Sequence, residues 1–442
     1  MFEEVIIEKL VHGGQGLATL ADGRKVFVWN ALPGETVRVR IIKAKHSYAE
    51  AIAEEIVKAS AERVEPSEAN YLATSPWQMM TYDAENKYKR EIVEELFAHE
   101  KVNLSKADAA NGLAEVVHDD RPWNYRSKME YSFWGDDDGL HLALHQRGSH
   151  GKQIVQGSRL ALPAVDAAAN AVCAELNKFS VRAGDLKTVI VRADQQGRAV
   201  AALFVKRQTF DGLFGHSPET DMDTALPSEL QGLRVYYSNP KSPASVTTDL
   251  LYELGDCLLH DDLLGTSFVY DVDSFFQVNL PVFEKALTVI RKQLGDAPVV
   301  TDMYAGVGSI GLSVASESVD LVELDPASVR MAAQNAETSL RRGGSAATVI
   351  EASTEKALDY IVGDRPVIFD PPRAGLHDKV TARVLEVQPK TIVYLSCNPA
   401  THARDLARLQ AAYDITHFEI FNFFPRTPHI ETLAVLSLRA LI

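Results

Sequence analysis

The sequence predicts a doubly wound α/β domain that closes with an antiparallel hairpin, preceded by a small β-barrel and by a middle domain of antiparallel strands. From Pro281 onward, apolar strands alternate with amphipathic helices, which is typical of a parallel sheet covered on both faces. Residues 1–58 contain short strands that Gly, Pro and Asp interrupt at regular intervals, a pattern that favours a five-stranded barrel. Residues 121–276 contain alternating strands joined by turns, with one helix over residues 163–178.

These changes of pattern divide the chain, since 442 residues are too many for one ordinary domain. We expect a barrel of the OB type over residues 1–58, a linker and central α+β domain over residues 59–280, and the α/β domain over residues 281–442. No run of 18 or more apolar residues occurs, so we expect no membrane span. The first residues, MFEEVIIEKL, lack the apolar core of a signal peptide.

The number of cysteines and the net charge narrow the class of protein further. Cys173, Cys257 and Cys397 are too few for a disulfide framework or a four-thiolate metal site, which favours a reducing cytoplasm. The net charge of −15 argues against a polyanionic partner, although local basic segments still offer phosphate contacts. Such segments lie at residues 38–45 and 121–128. For the first, a solvated strand face and a nucleic-acid-binding barrel are both open interpretations.

Two segments connect the barrel to the central domain. Residues 59–82 carry two prolines and no clear period, so we interpret them as a linker. The next segment has a helical period, and we expect the helix over residues 84–100 to pack on the α/β domain. Its apolar face comprises Tyr88, Ile92, Val93, Leu96 and Phe97.

The α/β domain is predicted element by element. The helices are expected at residues 281–294, 309–316, 326–340, 377–388 and 400–412, and the strands at 298–304, 319–323, 366–370 and 391–396. Two further strands, ITHFEIFNFF and ETLAVLSLRAL, are joined by the short loop PRTPHI. Because a short hairpin cannot join parallel neighbours, one of these closing strands must run antiparallel to the rest.

A glycine-rich loop follows the first strand of this domain. In TDMYAGVGSIG, residues Gly306, Gly308 and Gly311 form the G-x-G-x-x-G pattern of nucleotide-binding loops. Glu323 ends the next strand in VELD, where a carboxylate accepts hydrogen bonds from a ribose diol. These features fit NAD and S-adenosylmethionine equally well.

Two features favour S-adenosylmethionine. Asp302 precedes the glycines, where a carboxylate close to a pyrophosphate is unfavourable and a cationic ligand is favoured. The strand ending in IFDPPR presents the carboxylate of Asp370 on a stiff segment that lacks two N–H donors. A dehydrogenase has no evident use for that segment, although the prolines alone would also end a strand.

Cys397 lies where a buried strand meets a helix, in YLSCNPATHARDL. A helix N-terminus stabilises a thiolate, so we expect a reactive thiol here, whereas Cys173 in a helix and Cys257 in a strand are interpreted as structural. The closing loop FFPRTPHIE should bring His429 and Glu431 near Cys397. A thiolate, a base and a methyl donor together suit methylation of carbon 5 of a pyrimidine, because addition of the thiolate at carbon 6 makes carbon 5 nucleophilic.

The successive motifs DMYAGVGSIGL, VELD, FDPPRAGL, YLSCNPATHARDL and FPRTPHIE resemble those of the bacterial RNA 5-methyluridine methyltransferases, which act on 23S ribosomal RNA or on the tRNA T-loop. SFFQVN at residues 274–279 and NYRSKMEYSF at residues 124–133 resemble further segments of that family. Residues 1–58, with GGQGLA and FVWNALPGE, resemble the TRAM domain that many members carry. The resemblance covers nearly the whole chain and implies a Rossmann-like methyltransferase sheet.

The resemblance also implies roles for particular residues. Cys397 is the expected nucleophile and Glu431 the expected base. Arg126 and Lys128 are the expected RNA contacts, and Asp370 is expected to face both cofactor and target base. The expected pocket for S-adenosylmethionine and the base is formed by Gln277, Tyr304, Gly306, Gly308, Glu323 and Asp370.

We therefore expect a monomeric, cytoplasmic RNA methyltransferase that acts on a uridine of 23S rRNA, with the tRNA T-loop as the alternative. Members that hold an iron–sulfur cluster use four cysteines, but residues 65–80, EPSEANYLATSPWQMM, contain none, so we expect no cluster and instead apolar packing around Tyr71, Trp77 and Met79. Two other classes remain open on the sequence alone: a non-catalytic RNA-binding protein and an NAD oxidoreductase.

Overall fold

The computed structural model describes residues 2–107, 115–148, 151–210, 226–242, 245, 247 and 249–440. Within these residues the chain forms three large sheets and one two-stranded hairpin. The predicted fold class is confirmed: an N-terminal β domain and a central sheet precede a doubly wound α/β sheet with a closing antiparallel hairpin.

The N-terminal sheet is built from β1 (Phe2–Ile6), β2 (Lys9–Leu10), β3 (Gly16–Thr19), β4 (Lys25–Trp29), β5 (Thr36–Ala44) and β6 (Tyr48–Lys58). The strand order is β1-β5-β6-β4-β3-β2, so the sheet has six strands rather than the five predicted. Alternate residues such as Val26 and Val28 are buried inside it, as the period of a strand requires. The Glu8 amide donates to the Leu17 carbonyl (2.8 Å), which curls the end of β1 toward β3.

The basic segment at residues 38–45 is balanced by acidic side chains on the neighbouring strand. The ion pairs across β5 and β6 are Arg38–Glu55, Arg40–Glu54 and Lys43–Glu50. These cations are exposed but already paired, so the structure favours the solvated strand face over a nucleic-acid-binding surface at this segment.

The segment at residues 59–82 is a packed part of the core, contrary to its interpretation as a linker alone. It contains α1 (Tyr71–Thr74), and its Trp77, Met79 and Met80 side chains are fully or almost fully buried. Tyr71 packs against the same apolar cluster. The sequence period did not reveal this because the segment packs through individual side chains rather than through a regular face.

The helix α2 (Tyr82–His99) follows, and its N-terminus is capped by Thr81, whose hydroxyl accepts from the Ala84 amide (3.3 Å). Four of the five predicted apolar residues are buried and Leu96 is half-buried. This face packs into the same cluster as α7 (Asp378–Val387) and α8 (Pro399–Leu409). An N-terminal helix therefore covers part of the α/β sheet.

The central sheet consists of β7 (Lys128–Asp136), β8 (Gly139–His145), β9 (Lys152–Ile154), β10 (Leu186–Ala193), β11 (Ala199–Val205), β12 (Gly232–Tyr237) and β13 (Asp249–Gly255). Its order is β13-β12-β11-β10-β7-β8-β9, and α3 (Pro163–Lys178) and a short 3-10 helix (Ala183–Asp185) lie between β9 and β10 in sequence. The prediction of a wholly antiparallel domain is wrong at one place, since β11 and β12 are parallel. Parallel neighbours need a crossover, and the chain between Val205 and Gly232 is long enough for one.

The hairpin of β14 (Leu258–Leu263) and β15 (Thr266–Asp271) leads into the α/β domain. The elements of that domain, with α7 and α8 given above, are α4 (Leu280–Leu294), β16 (Val299–Asp302), α5 (Gly311–Val314), β17 (Ser318–Glu323), α6 (Pro326–Arg341), β18 (Ala346–Glu351), β19 (Val367–Phe369), β20 (Thr391–Ser396), β21 (Tyr413–Phe421) and β22 (Glu431–Leu438). Two 3-10 turns, Thr354–Lys356 and Leu358–Tyr360, follow β18.

The order of this sheet is β18-β17-β16-β19-β20-β22-β21. The first five strands are parallel, and β22 runs antiparallel to both of its neighbours, as the short loop required. Strand β18 was not predicted, because it lies at the edge of the sheet and is only half-buried, which leaves a weak apolar pattern. The order reverses between β16 and β19, and ligands of doubly wound sheets bind beyond the carboxyl ends of the strands at such a point.

No helix in the described ranges is long and apolar enough to cross a bilayer.

Candidate active site

A cavity of about 770 Å³ opens at the carboxyl ends of β16, β17, β19 and β20, where the strand order reverses. The carboxyl-terminal ends of these strands and the loop before α4 form its walls. Eight of the ten predicted site residues line this one cavity: Lys128, Gln277, Tyr304, Gly306, Glu323, Asp370, Cys397 and Glu431.

The other two predicted residues lie outside the cavity lining. Gly308 has φ of +85° and is packed so that a Cβ would come within 2.9 Å of the Leu312 side chain. This conformation and packing require glycine at this point of the loop, and the role of Gly308 in cofactor binding stays a prediction. Arg126 lies behind Lys128, whose carbonyl accepts from the Arg126 Nε (3.0 Å), and its guanidinium stacks 5.9 Å from the Phe424 ring.

One wall, which we call the glycine-loop wall, is formed by Gly306 and Glu323. Gly306 has φ of +55°, a left-handed conformation that favours glycine, and its amide donates to Glu323 Oε2 (2.8 Å). Glu323 Oε1 also accepts from the amides of Leu324 and Asp325, each at 2.7 Å. Three backbone donors thus fix the carboxylate at the end of β17, with its remaining lone pairs toward the cavity.

Asp302 lies beneath this wall rather than in it. Its side chain is fully buried, and Oδ2 accepts from the Gly311 amide (2.9 Å) at the start of α5. Burial raises the pKa of Asp302 to about 7. The sequence interpretation places this carboxylate close to where a pyrophosphate would bind, whereas in the structure it is fully buried beneath the glycine loop and outside the cavity lining.

The segment that carries Gln277 is held from the central sheet. Arg192 is fully buried and donates to the carbonyls of Asp271 (3.2 Å), Ser274 (2.7 Å) and Phe276. The backbone between β15 and α4 therefore has a fixed shape, and its side chains Phe275 and Gln277 project into the cavity lining.

The opposite wall, which we call the thiol wall, is set by strand register. Ser396 of β20 pairs with Thr432 of β22 in antiparallel fashion. Cys397 follows Ser396 and Glu431 precedes Thr432, so the two side chains lie at the same level on adjacent strands, whose paired Cα atoms are about 4.5–5.5 Å apart. Asn398 then caps α8, its side chain accepting from the Ala400 amide (3.1 Å).

The thiol of Cys397 is half-buried, and its pKa is raised to about 12 by burial and by the nearby Glu431 and Asp370 carboxyls, against the effect of Arg373. The expectation that the helix N-terminus would favour the thiolate is therefore overturned. Burial and two carboxyl groups outweigh the helix dipole in the free protein.

The pKa values of the acidic groups on the thiol wall are raised as well. Burial, with Asp370 in addition, raises the pKa of Glu431 well above its usual range. Burial, with Asp302 in addition, raises the pKa of Asp370 to about 7. His429 also lines the cavity, and burial with Arg373 lowers its pKa to about 3, so its ring is neutral near pH 7.

The charge of the lining indicates the class of ligand. Among the described residues, the acidic side chains that line the cavity are Asp273, Glu323, Asp325, Glu355, Asp370 and Glu431, of which Asp370 and Glu431 have raised pKa values. The lysine and arginine side chains there are Lys128 and Arg373. An acidic cavity attracts a cationic sulfonium and disfavours a pyrophosphate, so these residues fit S-adenosylmethionine better than NAD.

Sequence reasoning missed several lining residues. Ser353, Thr354 and Glu355 lie just beyond β18, and the Thr354 hydroxyl donates to the Met303 carbonyl (2.6 Å). They were missed because the strand before them was missed, although the alternation in ATVIE followed by a polar turn was the available signal. The sequence motif gave Arg373 no role beyond following the prolines, yet it contacts His429 through Nη2 and Nδ1 (3.4 Å).

Two family models match this chain. The model described as tRNA (Uracil-5-)-methyltransferase matches residues 262–439, and the TRAM domain model matches residues 3–53. A protein named "Uncharacterized RNA methyltransferase" from Lactiplantibacillus plantarum is 30% identical over 98% of this chain and 96% of its own length. A protein of the same name from Thermotoga maritima is 28% identical over 99% of each chain.

Among solved structures, the Pyrococcus abyssi tRNA (uracil-54, C5)-methyltransferase in complex with S-adenosyl-L-homocysteine has the same fold. The TM-score is 0.73 at 20% identity, covering 98% of this chain and 100% of that chain.

Fold, cavity and relatives together define a TRAM-containing, S-adenosylmethionine-dependent methyltransferase. The chain belongs to the RNA (uracil-5-)-methyltransferase family. Its cofactor is S-adenosylmethionine, and the NAD oxidoreductase and non-catalytic alternatives are thereby excluded.

Proposed function

We propose that this enzyme methylates carbon 5 of a specific uridine in 23S rRNA through a covalent adduct between Cys397 and carbon 6 of the base. The observation that carries the proposal is the register of β20 and β22, which puts a thiol and a carboxyl group at one level of one cavity. Neither residue has another evident reason to lie in a polar cavity at the carboxyl edge of the sheet.

The proposed reaction begins with Cys397. The thiol gives its proton to solvent water, the thiolate Sγ bonds to carbon 6, and the electrons of the carbon 5–carbon 6 double bond move to form an enolate at carbon 4 and its oxygen. Lys128 lines the cavity, and burial with nearby Arg192 lowers its pKa to about 8, so an ammonium is available near pH 7 to stabilise anionic groups of the substrate.

S-adenosylmethionine, when bound, supplies an electrophilic methyl group that carbon 5 accepts, and neutral S-adenosylhomocysteine is the product. Carbon 5 then carries both a methyl group and its original hydrogen. Glu431 must first lose its own proton to solvent, because burial raises its pKa. Its carboxylate then removes the carbon 5 proton, the carbon 5–carbon 6 double bond forms again, and the Cys397 thiolate leaves. Glu323 and the Gly306 loop would hold the cofactor, and Gln277 and Asp370 would meet it or the base.

The target base must leave its stack to reach this cavity. The wall residues Phe275 and Phe424 offer apolar and aromatic surface for such a base, and the Phe424 ring carries Arg126 on one side. We propose Arg126 and Lys128 as contacts to RNA, with Lys128 nearer the base because it alone of the two lines the cavity.

The choice of 23S rRNA rests on the resemblance of the motifs to a family whose members act on 23S rRNA or on the tRNA T-loop and many of which carry a TRAM domain. A tRNA uridine is the second candidate, because the matched family model and the Pyrococcus abyssi enzyme of the same fold are both named for tRNA. We further propose that the enzyme acts as a monomer in the cytoplasm.

Nucleoside mass spectrometry of 23S rRNA and tRNA from cells lacking the gene tests the proposal. We expect 5-methyluridine to disappear at one position of 23S rRNA and to return when the gene is restored. Loss from tRNA alone would select the second candidate. No loss from either RNA would contradict the proposed function.

A further inference from the structure

The loop between β21 and β22, residues 422–430, leads directly to Glu431 and is held mainly by residues from outside the α/β domain. We call it the closing loop. Asn279 donates to the Phe423 carbonyl (2.9 Å), and the Tyr125 hydroxyl donates to the Pro425 carbonyl (3.0 Å). Backbone groups of this loop are thus satisfied by side chains far away in sequence, which fixes its path.

The strongest of these contacts come from a buried ion pair on α2. The side chains of Glu85 and Lys89 are fully buried, and Lys89 Nζ lies 3.0 Å from Glu85 Oε1. Lys89 donates to Asn422 Oδ1 (2.6 Å) and to the Phe424 carbonyl (3.1 Å), and Asn422 Nδ2 donates back to Glu85 Oε1 (2.9 Å). The Arg426 amide donates to both Glu85 oxygens at 3.0 Å.

Arg426 shows that the loop conformation depends on these contacts. Its φ is +63°, a left-handed conformation that a non-glycine residue seldom adopts without support. The support comes from Glu85 at its amide, from Met80, whose carbonyl accepts from Arg426 Nη1 (2.9 Å), and from Trp77, whose amide donates to the Arg426 carbonyl (3.1 Å).

The contacts extend to the TRAM domain. Trp77 Nε1 donates to the Gly14 carbonyl (3.1 Å), and a Cβ on Gly14 would come within 2.4 Å of the Pro428 side chain. Gly14 also has φ of +93°, so no other residue fits well at this point. The TRAM domain, the segment at residues 59–82 and α2 therefore converge on the closing loop.

We infer that Glu85 and Lys89 are positioning residues that hold Glu431 in place for proton removal, so that the N-terminal part of the chain is required for the chemical step. The inference rests on the proposed function, since it assigns Glu431 as the base. The hydrogen bonds from this buried ion pair to the closing loop give the pair an evident role in fixing that loop. Stability alone would be a weak reason for burying the pair, because the desolvation of both charges offsets their attraction.

The test compares Lys89→Met with Arg90→Met in the full-length chain. Arg90 is adjacent on α2 and pairs with Glu94 at 3.5 Å on the exposed side of the helix, so it controls for the loss of a cation from this helix. Steady-state kinetics use S-adenosylmethionine and in vitro transcripts of 23S rRNA and tRNA, and denaturing gels measure the protein–RNA adduct.

For Lys89→Met we expect kcat to fall at least about tenfold, KM for both substrates to stay within about twofold, and the adduct to accumulate, because addition precedes the step that Glu431 performs. A lower fraction of folded protein would also lower kcat, but it would not raise the amount of protein–RNA adduct per turnover, so the adduct distinguishes the two causes. Arg90→Met should behave as wild type. Unchanged kcat and adduct in a folded Lys89→Met enzyme would overturn the inference.

A second variant covers the case in which Lys89→Met fails to fold because it leaves the Glu85 carboxylate buried without a cation. The double variant Glu85→Gln with Lys89→Met removes both charges and should therefore fold. It should give the same kinetic pattern, because the hydrogen bonds from Lys89 to Asn422 and to the Phe424 carbonyl are still lost. If neither variant unfolds cooperatively, the pair is structural and the positioning assignment is rejected. If the wild type methylates neither transcript, the proposed function itself fails and this inference falls with it.

Discussion

On the glycine-loop wall of the cavity, the Glu323 carboxylate accepts three backbone amides, whereas on the thiol wall the carboxyl groups of Asp370 and Glu431 are buried beside one another. Both walls lie at the carboxyl edge of one sheet, and both were predicted from strand-end motifs. They differ in how the charge is stabilised. Amide donors fix a carboxylate by hydrogen bonds, which suits a binding group, while burial beside another acid raises the pKa, which suits a group that takes up a proton.

The same difference applies to the thiol. Cys397 lies among acids rather than among donors, and its pKa is raised to about 12. In the free enzyme the Cys397 thiol is therefore protonated near pH 7, whereas the Glu323 carboxylate on the glycine-loop wall is already fixed by three amide donors. Four predictions test this contrast between the two walls.

The largest effect is expected for Cys397→Ala, which should lower methyl transfer by at least about 10⁴-fold because it removes the nucleophile. Cofactor binding, measured by calorimetry, should stay within about twofold, since the glycine-loop wall is untouched. Cys173→Ala is the control, because that thiol is buried in α3 away from the cavity. If Cys397→Ala still methylated RNA, the thiol would not be required by the mechanism.

The next effect is expected for Glu431→Gln, which should slow turnover by about 10²–10⁴-fold, the range typical of a lost general base. A covalent protein–RNA adduct should accumulate on denaturing gels, since addition and methylation precede proton removal. Glu419→Gln on the neighbouring β21 should retain activity. Loss of activity without adduct would place Glu431 before the addition step instead.

The reactivity of the thiol gives a smaller effect. Near pH 8, Cys397 should react with iodoacetamide about a hundredfold more slowly than a free cysteine, because fewer thiolates form and the higher basicity offsets this only in part. The rate should rise about tenfold per pH unit between pH 7 and pH 9, since that range lies well below the pKa of about 12. Mass spectrometry of the labelled peptide gives the rate, with glutathione as reference. A plateau above pH 8 would contradict the raised pKa.

The smallest effect is expected for Glu323→Gln, which should raise KM for S-adenosylmethionine about tenfold with kcat nearly unchanged, because a charged acceptor becomes a neutral one. Glu351→Gln is a matched control, since Glu351 pairs with Glu323 in register on β18 but is exposed and outside the cavity lining. A fall in kcat with unchanged KM would mean that the glycine-loop wall acts in the chemical step.

Much of the fold was predictable because its signals are local. The alternation of strands and helices after Pro281, the glycine loop and the short loop before β22 each require a particular backbone, and the structure has all three. The features that were not predicted had weak local signals: β18 is a half-exposed edge strand, and nothing in the sequence between β11 and β12 indicated that these strands pair in parallel.

Most candidate site residues were predictable for the same reason. The carboxyl ends of parallel strands meet at one edge, so Glu323, Asp370 and Cys397 had to lie near one another once the strands were recognised. Their assigned roles stay predictions. Sequence spacing does not tell which residues of a loop line a cavity and which lie beneath it, so it did not distinguish Gly306, which lines the cavity, from Gly308 and Asp302, which do not.

The sequence by itself determined the order of the elements, the nucleotide loop and the family, since these follow from residue patterns a few positions long. Only the tertiary structure decided the protonation of Cys397 and Glu431, because a pKa depends on burial and on charges from distant parts of the chain. It also decided that Lys89 of α2 reaches Asn422, a contact between residues 333 positions apart that no local pattern encodes.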